Sequence, residues 1–228
     1  MRSKQQGFTL VEIAIVLVIV GLIIGGVLKG QEMISNAKVR NVIDQTSAFQ
    51  TAIMAFQDRY RALPGDYSTA AVNIVGVTGG ANGGNGDGSG LVGLTAAGAA
   101  NNNENGLIWL HLAGAGFITG TFDGQAAANN FACPASTCPA NAFGGRMMFS
   151  WGSTATGTAN NSHEMRTGRN IPVGVLAEID RKTDDGVPET GSFQTDAQNL
   201  ALCRTGAGAA SVYNVVGGQT DCSGVRSL

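Results

Sequence analysis

The chain has 228 residues, a formal net charge of −2, 34 glycines and only 13% charged side chains. That length suits one domain plus an anchoring segment. Lysine and arginine form no basic block, so composition gives no support for nucleic-acid binding, and nucleic acid is not expected as a direct partner.

A short polar leader, residues 1–7, carries Arg2 and Lys4. Phe8–Leu28 follows, an apolar run of 21 residues in which Glu12 is the only charge. As a helix it is roughly 30 Å long, enough to cross a bilayer core. A carboxylate at that depth costs about 2.5–3.5 kcal/mol on insertion scales, so it implies a partner and a role. A cleavable secretory signal also has a basic start and an apolar core. Here the run is too long for one, Glu12 interrupts it, and the helical pattern continues far beyond it.

Lys4-Gln5-Gln6-Gly7-Phe8-Thr9-Leu10-Val11-Glu12 resembles the leader and cleavage motif of the type IV pilin and pseudopilin superfamily. The resemblance implies that a prepilin peptidase cuts between Gly7 and Phe8 and methylates the new amino terminus of Phe8. It also implies that Glu12 pairs with the terminal amine of a neighbouring subunit during assembly. Two isolated charges in an apolar bundle are costly, and paired they specify axial register.

From Gln31 the sequence turns amphipathic. Val42, Phe49, Ile53, Phe56, Tyr60 and Leu63 lie on one helical face, and Pro64-Gly65 then ends the element. A helix from Phe8 to Leu63 is about 80 Å long. Gly21, Gly25, Gly26 and Gly30 in and just after the anchor suit close helix packing, or a segment able to stretch.

Residues 77–106 form a Gly/Asn-rich tract with few large apolar side chains, which reads as a surface loop. Asn85, Asp87 and Ser89 alternate with glycine like the start of a calcium loop, but a bidentate acid at the required distance is missing. A short helix is expected around Leu107–Leu112, closed by Gly114 or Gly116. Strands are expected at Arg146–Trp151, Ile171–Asp180 and Ser211–Val216. The second alternates Ile171, Val173, Val175, Ala177 and Ile179. Three or four such strands would form an antiparallel sheet on the carboxy half of the long helix.

Cys133/Cys138 and Cys203/Cys222 form two local pairs. In an exported chain they read as disulfides, and their spacing fits a four-cysteine zinc site poorly. The second resembles the disulfide-bounded loop of many pilins. Asp180, Asp184 and Asp185 read as a solvated Asp-Gly turn between strands, with calcium the rival. Some pseudopilins hold calcium in their carboxy-terminal loops. No other metal and no cofactor is expected. His111 reads as a partly buried structural residue and His163 as part of a polar loop. No phosphate loop, dinucleotide fingerprint or two-histidine metal motif appears, so no enzyme is expected.

The fold class is α+β: a long amino-terminal helix, membrane-spanning in its first half, with a small antiparallel sheet domain. The boundaries are 1–7 leader, 8–28 transmembrane and assembly helix, 29–63 amphipathic half of that helix, and 64–228 globular domain. By resemblance the protein is a major or minor pilin of a type IV pilus-like filament, with a type II secretion pseudopilin as the alternative. A DNA-uptake filament is a further use within the class. A membrane-tethered monomeric binding protein is the reading from another class. The implied partners are other pilins, prepilin peptidase, an inner-membrane assembly platform and lipid. The implied location is the bacterial inner membrane, with the globular part periplasmic, and then a filament.

Overall fold

The computed structural model describes residues 9–93, 102–126, 133–152, 162–196 and 200–228. Its first helix, α1, runs from Leu10 to Tyr60, 51 residues. The chain divides into two compact units, Met1–Lys38 and Val39–Leu228. In the first, every described residue except Thr9 belongs to α1, and its large apolar side chains from Leu10 to Leu28 are exposed. A helix apolar all round and unpacked within its own unit is built for lipid or for other helices.

In the second unit, α1 carries a buried row of Val39, Val42, Thr46, Ala52, Ile53 and Phe56. Val39, Val42, Thr46, Ile53 and Phe56, at steps of three, four and seven, lie on one face, with Ala52 beside them. Periodicity extends the expected helix to Leu63, yet α1 closes at Tyr60 because Arg61 turns left-handed at φ 54°. The Arg61 N–H still reaches the Gln57 carbonyl at 2.8 Å, a cap position that glycine usually fills. Arg61→Gly should therefore stabilise the fold by about 0.5–1 kcal/mol. That corresponds to about 1–4 °C in the thermal unfolding midpoint. The Asp58–Arg61 contact it removes is 3.6 Å long and exposed on both sides, and contributes little.

Two cores stack along this part of α1. Ala52, Ile53 and Phe56 join Ile74, Val77 and Val92 with the helix α3 (Asn102–Gly114), through Ile108, Trp109 and Leu112. Strands β1 (Met148–Trp151) and β2 (His163–Arg166) close this core with Met148, Phe149 and Met165. Between α1 and α3 lies the short helix α2, Ala70–Asn73. Val39 and Val42 belong to the second core, with Ile171, Val173, Leu176, Ile179, Phe193, Cys203 and Cys222.

The main sheet has four antiparallel strands in the order β1-β2-β6-β3, where β3 is Phe193–Thr195 and β6 is Gly224–Ser227. Met148 faces Arg166, Met165 faces Arg226 and Phe193 faces Arg226 across the three ladders. After the short helix α5 (Leu200–Cys203), β4 (Arg204–Thr205) pairs with β5 (Val212–Tyr213) in a separate ribbon.

The expected strand at Ile171–Asp180 is instead helix α4, Val173–Thr183. Pro172 stands just before it at φ −59°, already helix-compatible. Within the buried set Val173, Leu176, Ala177, Ile179 and Asp180, steps of three and four recur, and Leu176 and Asp180 fall on the phase that alternation assigns to the polar face. The expected strand at Ser211–Val216 shortens to β5, because Asn214 starts a turn by accepting the Gly217 N–H at 3.2 Å.

The Gly/Asn-rich tract also departs from a bare surface loop. Val77 and Val92 are fully buried, and Asn102–Gly106 already lie in α3. Residues 94–101 of the tract lie outside the described residues. Gly106 is an interior helix position where alanine is favoured by about 1 kcal/mol. A methyl there would run into the Gln125 carbonyl oxygen.

Candidate functional site

Helix α1 opens on a reciprocal cap. The Thr9 N–H and the Thr9 hydroxyl both donate to Glu12 Oε2 at 2.8 Å. In return the Glu12 N–H donates to Thr9 Oγ1 at 3.3 Å. This is a capping box, Thr-x-x-Glu, which satisfies amide donors that a helix start leaves open. The one charged side chain of the apolar run is thereby aimed back at its own amino end. Gly7 and Phe8 lie outside the described residues.

Downstream, Cys133–Cys138 and Cys203–Cys222 are disulfide-bonded, each with Cα atoms 5.9 Å apart. Cys203 and Cys222 are fully buried in the second core.

Asp180, Asp184 and Asp185 present carboxylate oxygens within 4.8 Å of one another. Asp180 lies within α4, and Asp184 and Asp185 follow its end, which corrects the expected strand-to-strand turn. Tyr213 donates its hydroxyl to Asp180 Oδ2 at 2.8 Å, and the Gly186 N–H donates to Oδ1 at 3.2 Å. The Phe193 N–H reaches Asp184 Oδ2 at 2.7 Å and the Val187 N–H reaches Asp185 Oδ1 at 2.8 Å. Burial pushes Asp180 up to about 6. The trio has the oxygen chemistry of a hard-cation site, and it also ties the end of α4 to β3 and β5.

A second acidic trio escaped sequence reasoning because its members come from three separate segments. Asp66, Asp87 and Glu104 also bring oxygens within 4.8 Å of one another. Of the Asn85–Asp87–Ser89 pattern only Asp87 joins this trio, since Asn85 Oδ1 accepts the Ala71 N–H at 2.9 Å; the third acid is Glu104. Its oxygens accept the Asp87 N–H at 2.9 Å and the Gly93 N–H at 3.1 Å, while Asp66 accepts the Ser89 N–H at 2.8 Å and the Gly90 N–H at 2.9 Å. Burial pushes Glu104 up to about 7, and raises Asp66, with the Asp87 carboxylate beside it adding to the rise. These contacts pin the glycine-rich segment to α3.

His111 completes that attachment. Fully buried rather than partly so, it accepts the Gly65 N–H on Nδ1 at 2.8 Å and faces the Gly84 carbonyl with Nε2 at 2.8 Å. Those partners fix a neutral ring carrying its proton on Nε2. His163 stacks on Phe149 at 5.1 Å and accepts the Val92 N–H at 3.3 Å. Both imidazoles hold a folding role, and burial lowers each to about 4.

A pH dependence follows. Each buried imidazole keeps its full stabilisation above pH 6.5 and loses it as pH falls toward 4, because the unfolded chain binds the proton first. Glu104 works in the opposite sense. Its folded form holds a proton that the unfolded chain releases, so stability rises as pH falls from about 7 to 4.5. Asp180 adds to that rise between about 6 and 3.8. The raised carboxyls, Asp66 among them, oppose the two imidazoles, so the thermal midpoint should stay within about 4 °C between pH 7 and pH 4.5. Below that range it should fall as Asp123 and Asp221, whose hydrogen bonds hold them low, take up protons. A steep loss already between pH 6.5 and 5 would contradict the opposition.

No curated protein and no solved structure matches the chain. Residues 2–28 match the family described as the prokaryotic N-terminal methylation motif. The chain thus carries the signature of type IV pilins and pseudopilins at the head of a long apolar helix, joined to a small antiparallel sheet domain of the α+β class.

Proposed function

We propose that this protein is a structural subunit, major or minor pilin, of a type IV pilus-like filament. The observation that carries the reading is the methylation motif at residues 2–28, placed directly on an apolar helix whose side chains from Leu10 to Leu28 are exposed. In this reading the precursor sits in the bacterial inner membrane with its globular part periplasmic. Prepilin peptidase cuts between Gly7 and Phe8 and methylates Phe8, and an inner-membrane platform passes the subunit into the filament. Exchanging lipid for neighbouring helices is close to neutral in hydrophobic terms, so packing and polar pairing decide assembly.

Glu12 fits this role. In the lone subunit its carboxylate is held by Thr9 within the same turn, which moderates the cost of a charge in the bilayer. The Phe8 amine of a neighbour, created by the cut, would offer it a full positive charge and fix the axial register. The three exposed glycines Gly21, Gly25 and Gly26 have open space beside them, room for close helix approach.

Fractionation with electron microscopy tests the reading. A pilus subunit is recovered in filaments sheared from the cell surface. Recovery only in periplasmic filaments would move the protein to the pseudopilins, and recovery only as membrane-bound single subunits would make it a tethered binding protein.

A further inference from the structure

A cavity of about 580 Å³ opens at the carboxy end of α1, within the size range of small-molecule sites. One wall is aromatic. Tyr60 and Tyr67 line it with ring centroids 5.7 Å apart, and both lean on the buried Phe56, at 4.6 and 6.3 Å. The Asn73 amide fixes Tyr67 by donating to its hydroxyl at 2.7 Å. A second wall is backbone, Gly88 and Gly90 of the glycine-rich segment. Asp66 clips that segment in place: its carbonyl accepts the Gly88 N–H at 3.0 Å and its Oδ2 accepts the Gly90 N–H at 2.9 Å. Walls set before a ligand arrives lower the entropy cost of binding.

The remaining lining is largely polar. Among the described residues, no protein group hydrogen-bonds the side chains of Gln57 and Ser68 or the Tyr60 hydroxyl. Arg61 is the most telling member. Its φ of 54° suits glycine, and its guanidinium is exposed, with Asp58 at 3.6 Å as its ion-pair partner. Residues held in such a conformation gather at ligand sites, where the side chain is worth the strain.

Charge and polarity select the ligand. An anion would face Asp66 and Asp87, whose carboxylate oxygens lie within 4.8 Å of each other and of Glu104. A cation would face Arg61, together with Arg59, whose guanidinium already lies over the Tyr60 ring at 5.2 Å. A purely apolar ligand would cut Gln57, Ser68 and the Tyr60 hydroxyl off from water without replacing their hydrogen bonds. The lining therefore suits an uncharged molecule with hydroxyls that donate and accept, and an apolar face to lay on an aromatic ring. A sugar ring has both.

We propose that this cavity binds a short neutral saccharide, one ring laid against the Tyr60–Tyr67 wall and its hydroxyls bonded by Gln57, Arg61 and Ser68. The inference does not depend on the filament reading, because every lining residue belongs to the unit Val39–Leu228.

Saturation-transfer NMR on the full chain, extracted in a sugar-free detergent, tests the site. Lactose, maltose, cellobiose and chitobiose serve as neutral probes and sialyllactose as the anionic one. Transfer to at least one neutral probe is expected, strongest at ring C–H protons, with sialyllactose bound more weakly than lactose. Gln57→Ala and Arg61→Gly should each weaken binding about tenfold, the loss of one good hydrogen bond. Arg61→Gly should do so while raising the thermal midpoint, so its weaker binding does not come from a damaged fold. Absence of transfer to every neutral probe, tighter binding of sialyllactose than of lactose, or parent-level binding by either variant would overturn the proposal.

Discussion

Glu12→Leu is expected to abolish filament assembly while leaving the amount of subunit in the membrane unchanged or raised. Removing the carboxylate relieves an insertion cost of about 2.5–3.5 kcal/mol, so the anchor itself becomes more apolar. It also removes the capping box with Thr9, at about 1 kcal/mol. Neither effect expels the protein from the bilayer. In the proposed filament, however, the Phe8 amine of a neighbour is left as an unpaired buried charge. Breaking a buried pair from one side costs about 3–5 kcal/mol, which lowers assembly roughly a hundredfold or more. Glu12→Gln separates the two roles, because glutamine keeps a capping oxygen and lacks the charge. It should fail in assembly as Glu12→Leu does. Parent-level filaments from either variant would remove Glu12 from the assembly mechanism.

Loss of the Cys203–Cys222 disulfide should be the most damaging change to the globular unit. The bond spans 19 positions of chain, a loop whose closure restricts the unfolded state by about 3 kcal/mol. Both sulfurs lie in the second core beside Val39, Val42 and Leu176, so Cys203→Ala with Cys222→Ala adds unfilled volume to the lost cross-link. A total of about 3–5 kcal/mol corresponds to a midpoint lowered by roughly 6–20 °C in detergent-extracted full chain. Cys133–Cys138 spans only 5 positions, and its removal should cost less, about 2 kcal/mol. A reversed order of the two losses would show that the carboxy-terminal loop is not the stronger staple.

The parts of this molecule that were legible in the sequence are those written locally. A motif of nine residues and an apolar run broken only by Glu12 mark the head of the long helix, because length and hydropathy are local properties of the chain. The pattern failed where two periods coexist. Ile171 to Ile179 alternates like a strand, but Pro172 and Leu176 favour the helix that forms, and the four-stranded sheet is built elsewhere. Strand β2 was hidden for a different reason. Its Glu164 and Arg166 are buried, and Arg166 pairs with Asp196 at 2.9 Å, so its sheet position carries charges where alternation looks for apolar residues. The Asp66–Asp87–Glu104 trio depends on the fold of the glycine-rich segment onto α3, a non-local arrangement with no signature in any one stretch.

Intact-protein mass spectrometry of the membrane-extracted chain tests the central claim most directly. Processing predicts a mass lacking Met1–Gly7 and carrying one methyl group, about 14 Da, on the new terminus at Phe8. A chain that keeps its leader, or one cut far downstream of Phe8, would contradict the account.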